Sequence, residues 1–363
     1  MATRTATWAY RDRFHESFAR TYFRRFSTSL VSSIGIGTYL GDPTDAVDER
    51  YGATIVEAFE HGCNVVDTAI NYRNQRSERV VGRAIDTAAV DREAVLVATK
   101  GGFVPFDGAR PPNPAAYVES TVADPGLATR DEIVRGNCLA PDFLEWSLDR
   151  SLENLDLDAI DLYYLHNPET QLERFDRSTV YDRIEEAFVR LEARALEGDI
   201  RHYGVSTWEA FRVPDSHERY LSLPEIVRRA RRAASRAGAS STHLRAIQLP
   251  FNVRMADAFT VEAHVGPDGP TSALWFAADA GLDVFTSASI LQGELANEGT
   301  IPLAVDRRLS GDTPAQRAIN FARSAPGVTC SLVGTGSSEH VPENVAAGTF
   351  EPMGATAFDA VFE

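Results

Sequence analysis

The chain is 363 residues long and 44% hydrophobic, enough to bury one large core, and its 36 basic against 52 acidic residues leave a net charge of −16. A surface of that sign repels a phosphate backbone or an anionic bilayer, so neither nucleic acid nor a membrane is expected as a partner. Three widely spaced cysteines, Cys63, Cys138 and Cys330, argue against a disulfide framework or a metal site; with a charged N-terminus and no run near the ~18 apolar residues of a membrane span, they point to the cytoplasm.

Residues 1–32 read as an N-terminal extension or hairpin. From there, short apolar or β-branched runs recur: SIGIGTYL, NVVDTA, AVLVATKGG, AIDLYYLHNP, IRHYGVST, LRAIQLPFN, LDVFTSAS and VTCSLVGTGS. Helical patterns fall between them, beginning with DERYGATIVEAFEHG, where Ile55, Ala58 and Phe59 keep helical spacing and Gly62 ends the turn. Further ones are SERVVGRAIDTA, APDFLEWSLDRSLENL, YDRIEEAFVRLEARALEG and TPAQRAINFARSA. Eight strand-then-helix units predict a (β/α)8 TIM barrel, a single domain over 1–363 with long loops at its C-terminal face. A doubly wound open sheet is the alternative, but no G-x-G-x-x-G joins a strand to a helix. Residues 103–140 and 298–312 read as long irregular loops at that face, and 348–363 as a tail. The arginine-rich RRARRAASR (228–236) reads as a solvated helix face, with a docking patch as the other reading.

Thirty-five of the 36 basic residues are arginine; the one lysine is Lys100, in VLVATKGG. Asp67, Tyr72, Lys100 and His166 all fall at or just beyond the ends of predicted strands, which a barrel aims at a shared pocket. Each alone has an ordinary explanation: a capping aspartate, a loop tyrosine, a paired lysine, a histidine bonded to backbone. Together they make an acid/base device, because a nearby ammonium stabilises a phenolate and lowers a tyrosine pKa from about 10. Asp67 would keep Lys100 charged and aimed, and His166 would bond the same oxygen or a substrate carbonyl. Arginine would serve poorly there, its charge being spread over a bulky plane. Tyr39, Phe103 and Phe106 are candidates for an apolar pocket lining, or for ordinary packing.

These segments carry a resemblance. VVDTAINYRNQRSERVVGRAI (65–85), VLVATKGG (95–102), DLYYLHNPE (161–169), YGVSTW (203–208), QLPFN (248–252) and VGTGSSEHVPEN (333–344) are together similar to the aldo-keto reductase superfamily, over about 33–347. The resemblance implies a barrel binding NADP, or NAD, without a Rossmann fold, and a catalytic tetrad of Asp67, Tyr72, Lys100 and His166. It implies cofactor contacts from Thr38, Asp67, Ser206, Gln248 and Ser287, with Thr207 in place of the family's amide and Thr286 in place of its stacking aromatic, a role Phe285 could take over. Gly334, Thr335, Gly336, His340, Glu343 and Asn344 correspond to the adenosine-phosphate end, where Gly334 and His340 replace a basic pair. Ser337 and Ser338 are also candidate helix caps. The expected activity is NAD(P)(H)-dependent interconversion of a small-molecule carbonyl and an alcohol. A cofactor-binding regulatory or interaction subunit is the alternative, and an aldolase using Lys100 as a Schiff-base nucleophile is a third. Neither substrate identity nor oligomeric state has a readable code.

Overall fold

A computed structural model describes residues 1–362. Eight parallel strands close into a barrel: β1 (Ile34–Gly37), β2 (Val65–Asp67), β3 (Leu96–Gly101), β4 (Ile160–His166), β5 (Ile200–Ser206), β6 (Leu244–Pro250), β7 (Asp283–Ser287) and β8 (Val328–Gly334). Each pairs with the next in sequence, and β8 returns to β1. All eight predicted strands are present, because runs buried on both faces stand out between charged helices.

Each strand is followed by a helix: α1 (Asp45–Glu60), α2 (Arg76–Thr87), α3 (Pro141–Leu155), α4 (Arg177–Glu197), α5 (Leu223–Ala237), α6 (Ala273–Asp279), α7 (Pro314–Ser324) and α8 (Val341–Ala346). Their starts follow local chemistry. Asp176, Ser222, Ser272 and Thr313 each accept a backbone N–H from the first turn of the helix behind them, and Pro141, Pro224 and Pro314 stand where a missing N–H costs nothing. The arginines of 228–236 lie on α5, where Arg228, Arg231, Arg232 and Arg236 are exposed as a solvated face would have them, and some of the five also reach acids. Arg229 pairs with Asp182 and Glu185 of α4 at 2.5 and 3.0 Å, and Arg236 reaches Glu186 at 2.8 Å.

The N-terminal segment forms a helix, Arg4–Phe14, and a hairpin pairing Phe23–Phe26 with Ser29–Ser32. Phe26 and Val31 pack inside the barrel against Val65, Leu96, Tyr164 and Phe285, so the hairpin stoppers the end where the strands begin. Arg24 fastens it there, donating from Nη1 to Val328 O at 2.6 Å and from Nη2 to Arg323 O at 2.7 Å.

Residues 103–140 are less irregular than the sequence suggested. They hold a short helix, Pro114–Val118, whose Asn113 cap accepts from Ala116 N, and a turn at Arg130–Glu132 with a Thr129/Glu132 capping box. The ends of the segment zip together: Val104 N donates to Gly136 O and Cys138 N to Gly102 O, and Asn137 Nδ2 donates to His166 O at 2.9 Å. The loop is thereby clipped to the end of β4. Residues 298–312 likewise contain a helical turn, Leu303–Asp306.

Helices α2 and α3 approach closely at Gly82, where an added β-carbon would overlap the backbone carbonyl of Leu155. Gly82→Ala should therefore lower unfolding free energy by about 1–3 kcal/mol, the usual cost of overpacking, despite alanine's better helix propensity. Urea denaturation of the two proteins measures it.

Candidate active site

The strand register brings reactive groups to the C-terminal mouth. Gly37 pairs with Asp67, His166 with Ser206, and Ser206 with Gln248, so neighbouring strands deliver polar side chains at one level. Above them opens a cavity of about 440 Å³. Thr38, Asp67, Tyr72, His166, Ser206, Thr207, Gln248, Ser287 and Gly334 line it, joined by Tyr39, Asn71, Phe103, Asn167 and Trp208.

Lys100 is fully buried under this floor. Its Nζ donates to Asp67 Oδ1 at 2.5 Å and to Thr68 O at 2.8 Å, while the other carboxylate oxygen, Oδ2, accepts from Gln248 Nε2 at 2.8 Å. Burial works to strip the proton from Lys100, but Asp67 and Tyr72 outweigh it, and the pKa stands above that of an ordinary lysine. A charged, twice-bonded ammonium is a poor Schiff-base nucleophile, which weighs against the aldolase reading.

The same ammonium lies 4.8 Å from the centre of the Tyr72 ring. The phenol departs from the sequence expectation in one respect. Burial raises its pKa above the ordinary value, and the charge of Lys100 only partly draws it back. Tyr72 also meets Tyr39 edge-on at 5.0 Å and His166 at 5.8 Å. Burial, then the charge of Lys100, holds the His166 pKa well below its usual value, so the imidazole is neutral at pH 7.

On the adjoining wall, Ser206 Oγ donates to Gln248 Oε1 at 3.2 Å, and Thr38 Oγ1 donates to the backbone oxygen of Asp67. Thr207 Oγ1, Asn71 Oδ1 and His166 Nδ1 are buried at the cavity and find no hydrogen-bond partner among the described residues. Such orphaned donors and acceptors suit a polar ligand, and the amide and hydroxyl groups of a nicotinamide dinucleotide fit them.

Other sequence candidates are placed differently. Thr286 does not line the cavity: Phe285 points into the barrel interior and Ser287 into the cavity, so alternation turns Thr286 towards the helices. Phe285 cannot stack on a ligand, being fully buried edge-on to Phe26 at 5.7 Å. Phe106 is likewise away from the cavity, packed edge-on to Tyr117. Beyond Gly334, Thr335 is buried and its Oγ1 accepts from Asn344 Nδ2 at 3.0 Å, while Gly336 and His340 are exposed and Glu343 is partly so. Ser337 precedes a turn of helix without a side-chain capping bond, so the capping expectation fails there. Asn71 and Glu169 were not singled out from sequence; their signal is proximity to Tyr72 and His166 in INY and HNPE.

Comparison with known proteins bears on the family and the fold. A family model described as "Aldo/keto reductase family" matches residues 33–220. A Schizosaccharomyces pombe protein described as "Putative voltage-gated potassium channel subunit beta" is 26% identical over 88% of this chain and 85% of its own. The "Uncharacterized oxidoreductase YqkF" of Bacillus subtilis is 33% identical over 56% of this chain and 53% of its own. Among solved structures, an aldo-keto reductase from Klebsiella pneumoniae in complex with NADPH aligns with TM-score 0.59 and 21% identity over 94% of each chain. Aldo-keto reductase AKR11C1 from Bacillus halodurans (holo form) aligns with TM-score 0.63 and 20% identity, over 94% of this chain and 95% of its own. At those identities the structural likeness is one of fold.

Two expectations follow from the electrostatics. Lys100→Met leaves the Asp67 carboxylate buried beside no cation and should cost about 3–5 kcal/mol of stability, read by denaturant titration. His166 has a depressed folded pKa, so below its unfolded value of about 6.5 the unfolded chain binds the extra proton and stability falls with falling pH. His166→Gln should flatten that loss between about pH 6.5 and 5 relative to the parent protein, measured by urea melts across the range.

Proposed function

The chain belongs to the aldo/keto reductase family, and we propose that it interconverts the carbonyl of an aldehyde, ketone or aldose with the corresponding alcohol, using a nicotinamide dinucleotide. The observation that carries this reading is the meeting of Tyr72, His166 and the Lys100–Asp67 pair at one cavity that also presents Ser206, Thr207 and Gln248.

In this reading Thr38, Asp67, Ser206, Thr207, Gln248 and Ser287 hold the nicotinamide end, with Thr286 behind them. Gly334, Thr335, Gly336, His340, Glu343 and Asn344 form the adenosine end. The bound dinucleotide supplies the hydride for reduction and takes it up in oxidation. Every other step belongs to the protein. Tyr72 gives its phenolic proton to the carbonyl oxygen as the carbon is reduced, and the charge of Lys100 stabilises the phenolate left behind. Asp67 keeps that ammonium charged and aimed. Neutral His166 offers a hydrogen bond to the reacting oxygen without competing for the proton. NADP(H) is the dinucleotide assigned, after the relative solved with NADPH. NAD(H) stands second, because His340 brings no fixed charge to a 2′-phosphate.

A second reading, a cofactor-binding regulatory subunit working in the cytoplasm, draws on the description of the S. pombe relative. Titration with NADPH and NADH, followed by tryptophan quenching, and then assay over a panel of aldehydes and aldoses separates the two. Tight binding with turnover supports the reductase; tight binding with none supports the subunit; no binding overturns both. Tyr72→Phe should lower kcat by at least ~10²-fold with dinucleotide affinity within about two-fold, as expected when only proton transfer is lost. Lys100→Arg should act the same way, and parental rates in either variant would remove these roles.

A further inference from the structure

The proposed chemistry leaves one buried titratable group beside the cavity without a task. Glu169 lies three residues beyond His166, in the helical turn Pro168–Glu173, and is only 3% exposed. Its Oε1 accepts from the backbone N–H of Trp208 at 2.7 Å and of Glu209 at 3.1 Å, the residues that follow β5. No arginine or lysine pairs with it among the described residues, and its Oε2 is buried without a partner. Burial raises its pKa, and the two N–H groups oppose that rise.

We propose that Glu169 is a positioning residue which fixes Trp208 as a wall of the cavity and thereby sets which carbonyl compounds the site admits. The inference rests on the reductase reading for its substrate, though not for its geometry. Successive N–H groups converging on one oxygen form a small anion-holding concavity, and a carboxylate fills it with charge-assisted bonds. Trp208, whose backbone they anchor, lines the cavity together with Tyr39 and Phe103 and is 43% exposed, so the placing of its ring depends on the backbone that carries it. The rest of the segment is anchored independently. Asn167 N donates to Ser206 O at 2.7 Å, and Thr207 N donates to Gln248 O at 2.9 Å. Arg212 holds the carbonyl side of the turn, donating from Nε to Trp208 O at 2.7 Å and from its backbone N to Glu209 O at 2.9 Å. Loss of the carboxylate therefore releases the N–H side, so that the turn at Trp208 and Glu209 shifts while Ser206 and Thr207 stay in place. A buried anion with no cation is a costly way to hold a loop, and it is spent where a large aromatic ring meets the substrate space.

The test uses the full chain labelled with 5-fluorotryptophan, which gives one fluorine resonance for each of the four tryptophans. Trp208→Phe identifies the relevant one. In Glu169→Ala the Trp208 resonance should shift or broaden while the other three stay. The KM for carbonyl substrates should rise about ten-fold with kcat and dinucleotide affinity within about two-fold, the pattern of lost substrate binding. Glu169→Gln keeps an acceptor oxygen and should recover most of both effects. If Glu169→Ala does not fold, Glu169→Asp, one methylene short of the N–H pair, carries the same expectation. An unmoved Trp208 resonance, or a moved one with unchanged KM, overturns the proposal. A resonance that moves in Glu169→Ala, when the parent protein binds dinucleotide but turns nothing over, overturns the reductase reading instead.

Discussion

Taking an ammonium out of water is among the most expensive things a fold can do, and this barrel does it once, with its only lysine. Lys100 is tolerable at zero exposure because Asp67 and Thr68 O receive it, and Asp67 is tolerable because Gln248 shares it. The lysine comes from β3 and its partners from β2, the residue after it and β6, so the barrel must be closed, and in this register, before the charge is compensated. Ser206, bonded to Gln248, and Tyr72, beside the ammonium, take their positions from the same pair. The acid/base groups and the candidate cofactor contacts thus form one electrostatic unit.

The eight strands were legible because parallel strands buried on both faces write continuous apolar runs, and IDLYYLH and IRHYGVS have no surface helix to be confused with. That Asp67, Tyr72, Lys100 and His166 would come together was legible because strand ends in a barrel converge. What the sequence could not supply was side-chain direction within a strand. Thr286 and Phe285 looked like neighbours of a ligand, yet alternation sends one towards the helices and the other down among Phe26 and Tyr164. Glu169 was hidden for a related reason. Its partners are the backbone of residues some forty positions later, and backbone N–H groups leave no mark on a sequence. The helix at Arg4–Phe14 and the short α6 lacked a clear apolar stripe, and the turns inside 103–140 depend on caps at Asn113 and Thr129 that read equally well as loop residues.

The phenol's pKa shows how competing effects are resolved in a site of this kind. A cation at close range stabilises the phenolate, but packing around Tyr72 disfavours any charge there, and packing wins. The balance favours a protonated phenol at rest, which is the form a proton donor needs. His166, beside the same cation, is driven the other way and stays neutral. Burial, more than the charge beside them, therefore leaves both rings neutral: Tyr72 keeps its phenolic proton and His166 takes up no second one.

The hairpin that carries Phe26 and Val31 into the base of the barrel also bears on access. With that end stoppered and Arg24 riveting the plug to the last strand, the cavity above Lys100 has a floor of packed side chains. A small molecule therefore comes to it from the C-terminal mouth, past the exposed rings of Tyr39 and Trp208, and the plug keeps solvent from reaching the buried ammonium from below.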